Sequence, residues 1–91
     1  MSMSKEDALA RARADLSKRL GVAEEEVKEV AVEQADFPDM ALGAGVDGEM
    51  SGQMITPGWR IRLSAQGATH EYRANRNQIR LYNFKGANYR L

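Results

Sequence analysis

The N-terminal segment is the only long stretch of this chain in which apolar residues recur with the period of an α-helix. Ser4 stands where an N-cap is needed, and Gly21 stands where a helix commonly ends in left-handed geometry. The stripe is narrow, so it can cover one face of a sheet but is thin for a helix bundle. Its members follow at spacings of three and four: Leu9, Ala12, Leu16 and Leu20.

The rest of the chain alternates between apolar and polar residues, as strands do. We expect Val30 and Val32 of the first strand to face the helix. We expect the same of Ile61 and Leu63 in the second strand. A turn is predicted at Pro57-Gly58, before the second strand. The pattern predicts an α+β fold, with one N-terminal helix packed on a curled antiparallel sheet of about four strands: residues 29–35, 59–65, 69–74 and 79–84.

The length of 91 residues predicts a single domain spanning residues 1–91. Residues 1–4 and 85–91 lack a strong pattern, so fraying is expected there. The chain has no cysteine, so packing alone must stabilise it.

A glycine-rich loop, residues 40–53, separates the first two strands. It is more apolar than a plain linker, so it either packs under itself or presents a contact surface. Asp39 is expected to cap neighbouring backbone N–H groups. The candidates for partner contact are the apolar residues of this region: Met40, Leu42, Val46, Met50, Met54 and Trp59.

Charge is divided unevenly along the chain. Residues 1–50 hold six Lys/Arg against twelve Asp/Glu, whereas residues 51–91 hold seven Lys/Arg against Glu71 alone. Either the halves attract each other, within one fold or in a dimer, or the second half forms a basic face for an anionic partner.

The residues that catalysis or metal binding would need are scarce. His70 is the only histidine and there is no cysteine, so a zinc site would need an uncommon set of carboxylates. No serine lies in a nucleophile motif, and the glycines do not form a phosphate loop. The sequence therefore predicts no catalytic, cofactor-binding or metal-binding residues, and a protein that is not an enzyme.

Arginines and tyrosines in the later strands raise nucleic-acid binding as an alternative. Tyr72 and Arg73 would point to opposite faces, and the net charge is zero, so nucleic acid is not the expected partner. The residues concerned are Arg60, Arg62, Arg73, Arg80, Tyr72 and Tyr82.

The polar segment 1–7 has no apolar core like that of a secretory signal, and no apolar run is long enough to span a bilayer. We expect a cytoplasmic protein as the sequence stands, or a secreted one from which a signal has been removed.

Several short motifs resemble those of a family of small uncharacterised bacterial domains, often found on secreted proteins. They are Phe37-Pro38-Asp39 followed by Leu42-Gly43, and then Thr56-Pro57-Gly58-Trp59-Arg60-Ile61. Ala44-Gly45 stands where that family often has Cys-Pro. The resemblance implies a cystatin-like or PepSY-like arrangement of helix and sheet, and hence the alternative of a peptidase inhibitor or regulator.

The leading hypothesis is a small non-enzymatic binding domain, because the loop is apolar and no catalytic group is evident. Its partner would be another protein or a second copy, docked on the loop or on a free sheet edge.

Overall fold

A computed structural model describes residues 2–91 and confirms the predicted α+β fold. The sheet is antiparallel throughout, and its strands lie in the order in which they occur along the chain. It has five strands rather than about four, because residues of the C-terminal tail pair with the fourth strand. The elements are helix α1 (Lys5–Leu20), a 3-10 turn (Glu24–Glu26) and strands β1 (Lys28–Phe37), β2 (Thr56–Ala65), β3 (Ala68–Ala74), β4 (Ile79–Phe84) and β5 (Ala87–Arg90).

Helix α1 begins and ends at the predicted residues. The Ser4 hydroxyl accepts from the Asp7 amide and the Asp7 carboxylate accepts from the Ser4 amide, both at 3.1 Å. Gly21 ends the helix in left-handed geometry, with φ of 69°. Within residues 2–91, no helix is both long and apolar enough to cross a membrane.

The helix stripe packs on one face of the sheet, which we call the helix face. Leu16 is fully buried there against the side chains of β2, β3 and β4. The Tyr72 hydroxyl donates to Asp15 at 2.7 Å, and Arg19 binds the same carboxylate. This polar contact fixes helix α1 against β3 at a point where the tyrosine ring is buried. The buried core comprises Ala8, Ala12, Leu16, Val27, Ile61, Leu63, Ala65, Tyr72, Ala74, Ile79 and Leu81.

The prediction for Val30 was wrong because strand β1 contains a β-bulge. Glu29 pairs with Leu63 and Ala31 pairs with Arg62, so Val30 is an extra residue without a partner. Val30 is therefore 55% exposed, whereas Val32 packs against the core as predicted.

The predicted turn at Pro57-Gly58 was also wrong, because both residues lie inside β2. Pro57 pairs with Asp36, and β3 begins to pair with β2 only at Trp59, so the missing N–H of Pro57 costs no bond to β3. Gly58 is needed because its backbone is closely packed, and not because the chain turns there. A Cβ there would overlap the carbonyl oxygen of Ala74 and come within 3.2 Å of the Phe37 ring.

We predict that Gly58→Ala lowers the free energy of unfolding by about 2 kcal/mol, because the added methyl group would force β2 and β3 apart. Urea unfolding followed by Trp59 fluorescence measures the change. Gly45→Ala is the matched control, because nothing lies within 4 Å of a Cβ at that position. Equal stability of the two variants would show that the close contact at Gly58 is unimportant.

Candidate binding site on the loop between strands β1 and β2

The loop formed by residues 38–55 lies over the sheet face opposite helix α1, which we call the loop face. Ala41, Leu42 and Ala44 of this loop are buried, and so is Phe37 at the end of β1, although none of the four belongs to the main core. The loop thus adds apolar burial outside that core. Two alternatives were predicted for this loop: packing under itself, or presenting a contact surface. The apolar residues of its first part, Ala41, Leu42 and Ala44, are buried, whereas residues 50–55 are exposed.

Asp39 organises the first turn of the loop, as predicted. Its Oδ1 atom accepts from the amides of Ala41 and Gly43 at 2.9 and 3.0 Å. Leu42 and Gly43 both have left-handed backbones, with φ of 59° and 66°. That geometry is unfavourable for a leucine, so the Asp39 cap and the burial of the Leu42 side chain must offset its cost.

Arg73 attaches this turn to β3. Its Nη1 atom donates to the carbonyls of Leu42 and Gly43 at 3.1 and 3.2 Å, and its Nε donates to Glu71 at 2.8 Å. The guanidinium carbon lies 3.7 Å from the centre of the Tyr82 ring. Carbonyls, a carboxylate and an aromatic face therefore hold the arginine on the loop face.

Arg80 attaches the second half of the loop to β4. It is only 3% exposed and forms two hydrogen bonds of 2.6 Å with the carboxylate of Glu49. These bonds lower the pKa of Glu49 from 4.5 to about 2, an effect that burial partly opposes and the Val46 amide reinforces. The carboxylate is therefore ionised at neutral pH.

Arg73 and Arg80 do not form an open basic face for nucleic acid, because the loop covers them. The alternation itself is confirmed, since Tyr72 lies in the core and Arg73 on the loop face. The two halves of the chain attract each other within the fold, through Arg80 with Glu49 and through Arg62 with Glu33. Glu71 accepts ion pairs from three arginines: Arg60, Arg62 and Arg73.

Beside this loop, a cleft of about 570 Å³ opens between residues 49–57 and the turn that joins β3 to β4. We call it the methionine cleft. Four large apolar side chains on its wall expose between 49% and 97% of their surface, and Gln78 and Arg80 lie among its polar lining residues. The four are Met40, Met50, Met54 and Ile55.

The structure therefore brings together three of the six predicted contact residues: Met40, Met50 and Met54. Leu42 is fully buried, so it packs the loop instead of facing outward, and Val46 is half-buried. Trp59 packs against the main core beside a separate groove of about 300 Å³. Ile55 is not among the predicted contact residues, although its apolar side chain directly follows that of Met54 in the chain.

His70 lies away from the cleft, half-buried, with its ring centre 5.7 Å from that of Phe84. Burial lowers the pKa of the imidazole. In the part of the chain that the structure describes, no three His, Asp or Glu side chains are grouped so that they could hold a metal ion.

We predict that Glu49→Gln lowers the free energy of unfolding by about 2 kcal/mol at pH 7, because Arg80 stays buried without its carboxylate. The folded-state pKa of Glu49 is below its ordinary value, so the contribution is fully present above pH 4.5 and is lost as the pH falls toward 2. Denaturant unfolding between pH 7 and pH 2 measures it. Glu25→Gln, at an exposed position, is the control, and a constant difference across this range would contradict the prediction.

Comparison with known proteins places the chain in a family without assigning an activity. No curated protein matches it, and no solved structure matches it. The cystatin-like or PepSY-like arrangement thus stays a prediction. A family model described as a domain of unknown function matches residues 9–82, which span helix α1 from Leu9 through most of β4. The chain therefore belongs to the family of the domain of unknown function DUF8738.

Proposed function

We propose that this protein is a non-enzymatic binding domain that holds an extended apolar segment of a partner protein in the methionine cleft. The observation that carries the proposal is the exposure of four large apolar side chains around one concavity, Met40, Met50, Met54 and Ile55. Single exposed apolar residues are common, whereas a group around a cleft is typical of a contact surface.

Methionine suits such a surface. Its unbranched thioether adapts to partners of different shape, which is why methionine-rich surfaces occur in proteins that bind apolar segments. Three of the five methionines of the chain line this cleft. Residues 50–55 are all exposed, so an approaching segment would meet no covering element.

The wall of the cleft is anchored to the sheet. The Met40 amide donates to the Gly52 carbonyl at 2.9 Å, and Gln78 donates to the Met40 carbonyl at 2.7 Å. Arg80, which pairs with Glu49, also donates to the Gln78 side chain at 2.8 Å. A wall that is already ordered loses less conformational entropy on binding, which favours affinity.

The charge at the rim indicates what accompanies the apolar side chains of the partner. Arg90 is exposed and lies 3.7 Å from Glu49, whose oxygens already accept the shorter bonds from Arg80. Arg90 can therefore meet a carboxylate of the partner. The segment that fits is apolar with an adjacent Asp or Glu.

A peptide titration observed through the methionine methyl groups tests this function. The probe is a synthetic peptide of leucine and phenylalanine flanked by aspartates, and the comparison is the same peptide flanked by lysines. With 13C-methyl-labelled methionine, we expect the aspartate peptide to shift Met40, Met50 and Met54. The Met3 signal is the internal control, because Met3 packs against the main core and does not line the cleft.

Met54→Gln should weaken binding of the aspartate peptide about ten-fold, since a buried methionine side chain contributes ~1.5–3 kcal/mol. Val30→Gln, a change at an exposed apolar residue outside the cleft, should leave the affinity unchanged. Absence of shifts at the three methionines would overturn the proposal. Concentration-dependent shifts without peptide would do so too, because they would place a second copy in the cleft.

A further inference from the structure

Strand β1 forms one edge of the sheet along its whole length. It pairs with β2 on one side, and no other strand of residues 2–91 lies on its outer side. In an antiparallel sheet, every second residue of an edge strand turns its N–H and C=O groups away from the neighbouring strand. The outer side of β1 therefore presents a row of backbone groups that can pair with another chain.

The usable part of this edge is defined by the bulge at Val30. Beyond it, residues 31–37 pair with β2 in unbroken register, from Ala31 with Arg62 to Phe37 with Thr56. The bulge disrupts pairing at the start of the strand. Helix α1 packs on β2 and β4, and the loop is attached through Arg73 and Arg80 of β3 and β4. Seven residues thus form a regular open edge.

The charged side chains along this edge are mostly acidic. Strand β1 contains three exposed acids and one lysine, and the 3-10 turn before it consists of three exposed glutamates. Glu33 has a long ion pair of 3.4 Å with Arg62, and Asp36 takes part in none of the ion pairs within residues 2–91. The acids of the strand are Glu29, Glu33 and Asp36.

This charge argues against a second copy of the chain at the same edge. Two β1 strands side by side would bring like charges together, and like charges on neighbouring strands destabilise a sheet. A strand that carries lysine or arginine would instead meet carboxylates on both faces, since Glu33 lies on the loop face and Asp36 on the helix face by their pairing with Arg60 and Pro57. Opposite charges between neighbouring strands stabilise the pairing.

We propose that the free edge of β1 accepts an extended, basic segment of a partner protein as a sixth strand of the sheet. Backbone pairing with residues 31–37 supplies the contact, and Glu33 and Asp36 select for lysine or arginine. The surface is separate from the methionine cleft, so either can bind without the other.

Amide hydrogen exchange with defined peptides tests the proposal. The probes are a peptide of alternating lysine and valine and its glutamate–valine counterpart. We expect the lysine peptide to slow exchange within residues 31–37 and the glutamate peptide to leave it unchanged. Two further lysine peptides, N-methylated at one or the other set of alternate residues, separate strand pairing from simple charge attraction. Pairing requires that one of the two loses binding.

Charge-reversing variants test the selection. Glu33→Lys with Asp36→Lys should weaken binding of the lysine peptide about ten-fold, because each opposite-charge pair between strands is worth a factor of roughly two to five. Glu6→Lys with Asp47→Lys, at exposed positions off the edge, changes the net charge equally and should have a much smaller effect.

Equal binding of both N-methylated peptides, equal binding of the glutamate peptide, or lack of protection in residues 31–37 would each overturn the proposal. So would protection of that edge without peptide, which would identify a second copy as its occupant. Binding in the cleft is measured through methionine methyl groups, and binding at the edge through the amides of β1. Each proposal can therefore be contradicted without the other.

Discussion

A sheet has two faces, and residues 2–91 contain one α-helix that can cover one of them. The apolar stripe of α1 covers the helix face over β2 to β4. The loop face carries arginines and a tyrosine, so it could not be buried by apolar side chains alone. The connection between β1 and β2 covers part of it, with Leu42 and its small neighbours as apolar contacts and with Arg73 and Arg80 as polar ones. The positions of the other loop residues depend on these contacts.

Withdrawing an arginine from water is costly unless its donors are satisfied, so half-buried Arg73 and buried Arg80 each require polar partners in the loop. Arg73 requires carbonyl groups, and the left-handed turn at Leu42 and Gly43 presents two of them. Arg80 requires a carboxylate, which Glu49 supplies. A buried ion pair adds little net stability, but it selects one arrangement among many. Arg80 holds Glu49 against the sheet, whereas residues 50–55, which follow it, are all exposed.

The charge asymmetry of the chain follows the same geometry. Most arginines of the second half lie on the loop face and form ion pairs there, three of them with Glu71 and one with Glu49. Six of the nine exposed acids of the first half lie in β1 and in the turn before it. A protein with no net charge therefore has a distinctly acidic side.

The amino-acid sequence by itself determined the elements whose signals are local. Ser4 and Gly21 mark the two ends of the helix, and the alternation of apolar and polar residues marks β2 to β4. Asp39 caps its own turn. Each of these features depends only on residues that are close together along the chain. Tertiary structure decided the rest. The bulge at Val30 and the extended Pro57-Gly58 arise from pairing with β2 and from the close approach of Ala74. Burial of Arg80, and hence the outward position of Met50, depends on a contact between residues 31 positions apart. Contacts at that distance leave no periodic signal in the sequence, so only the folded chain shows them.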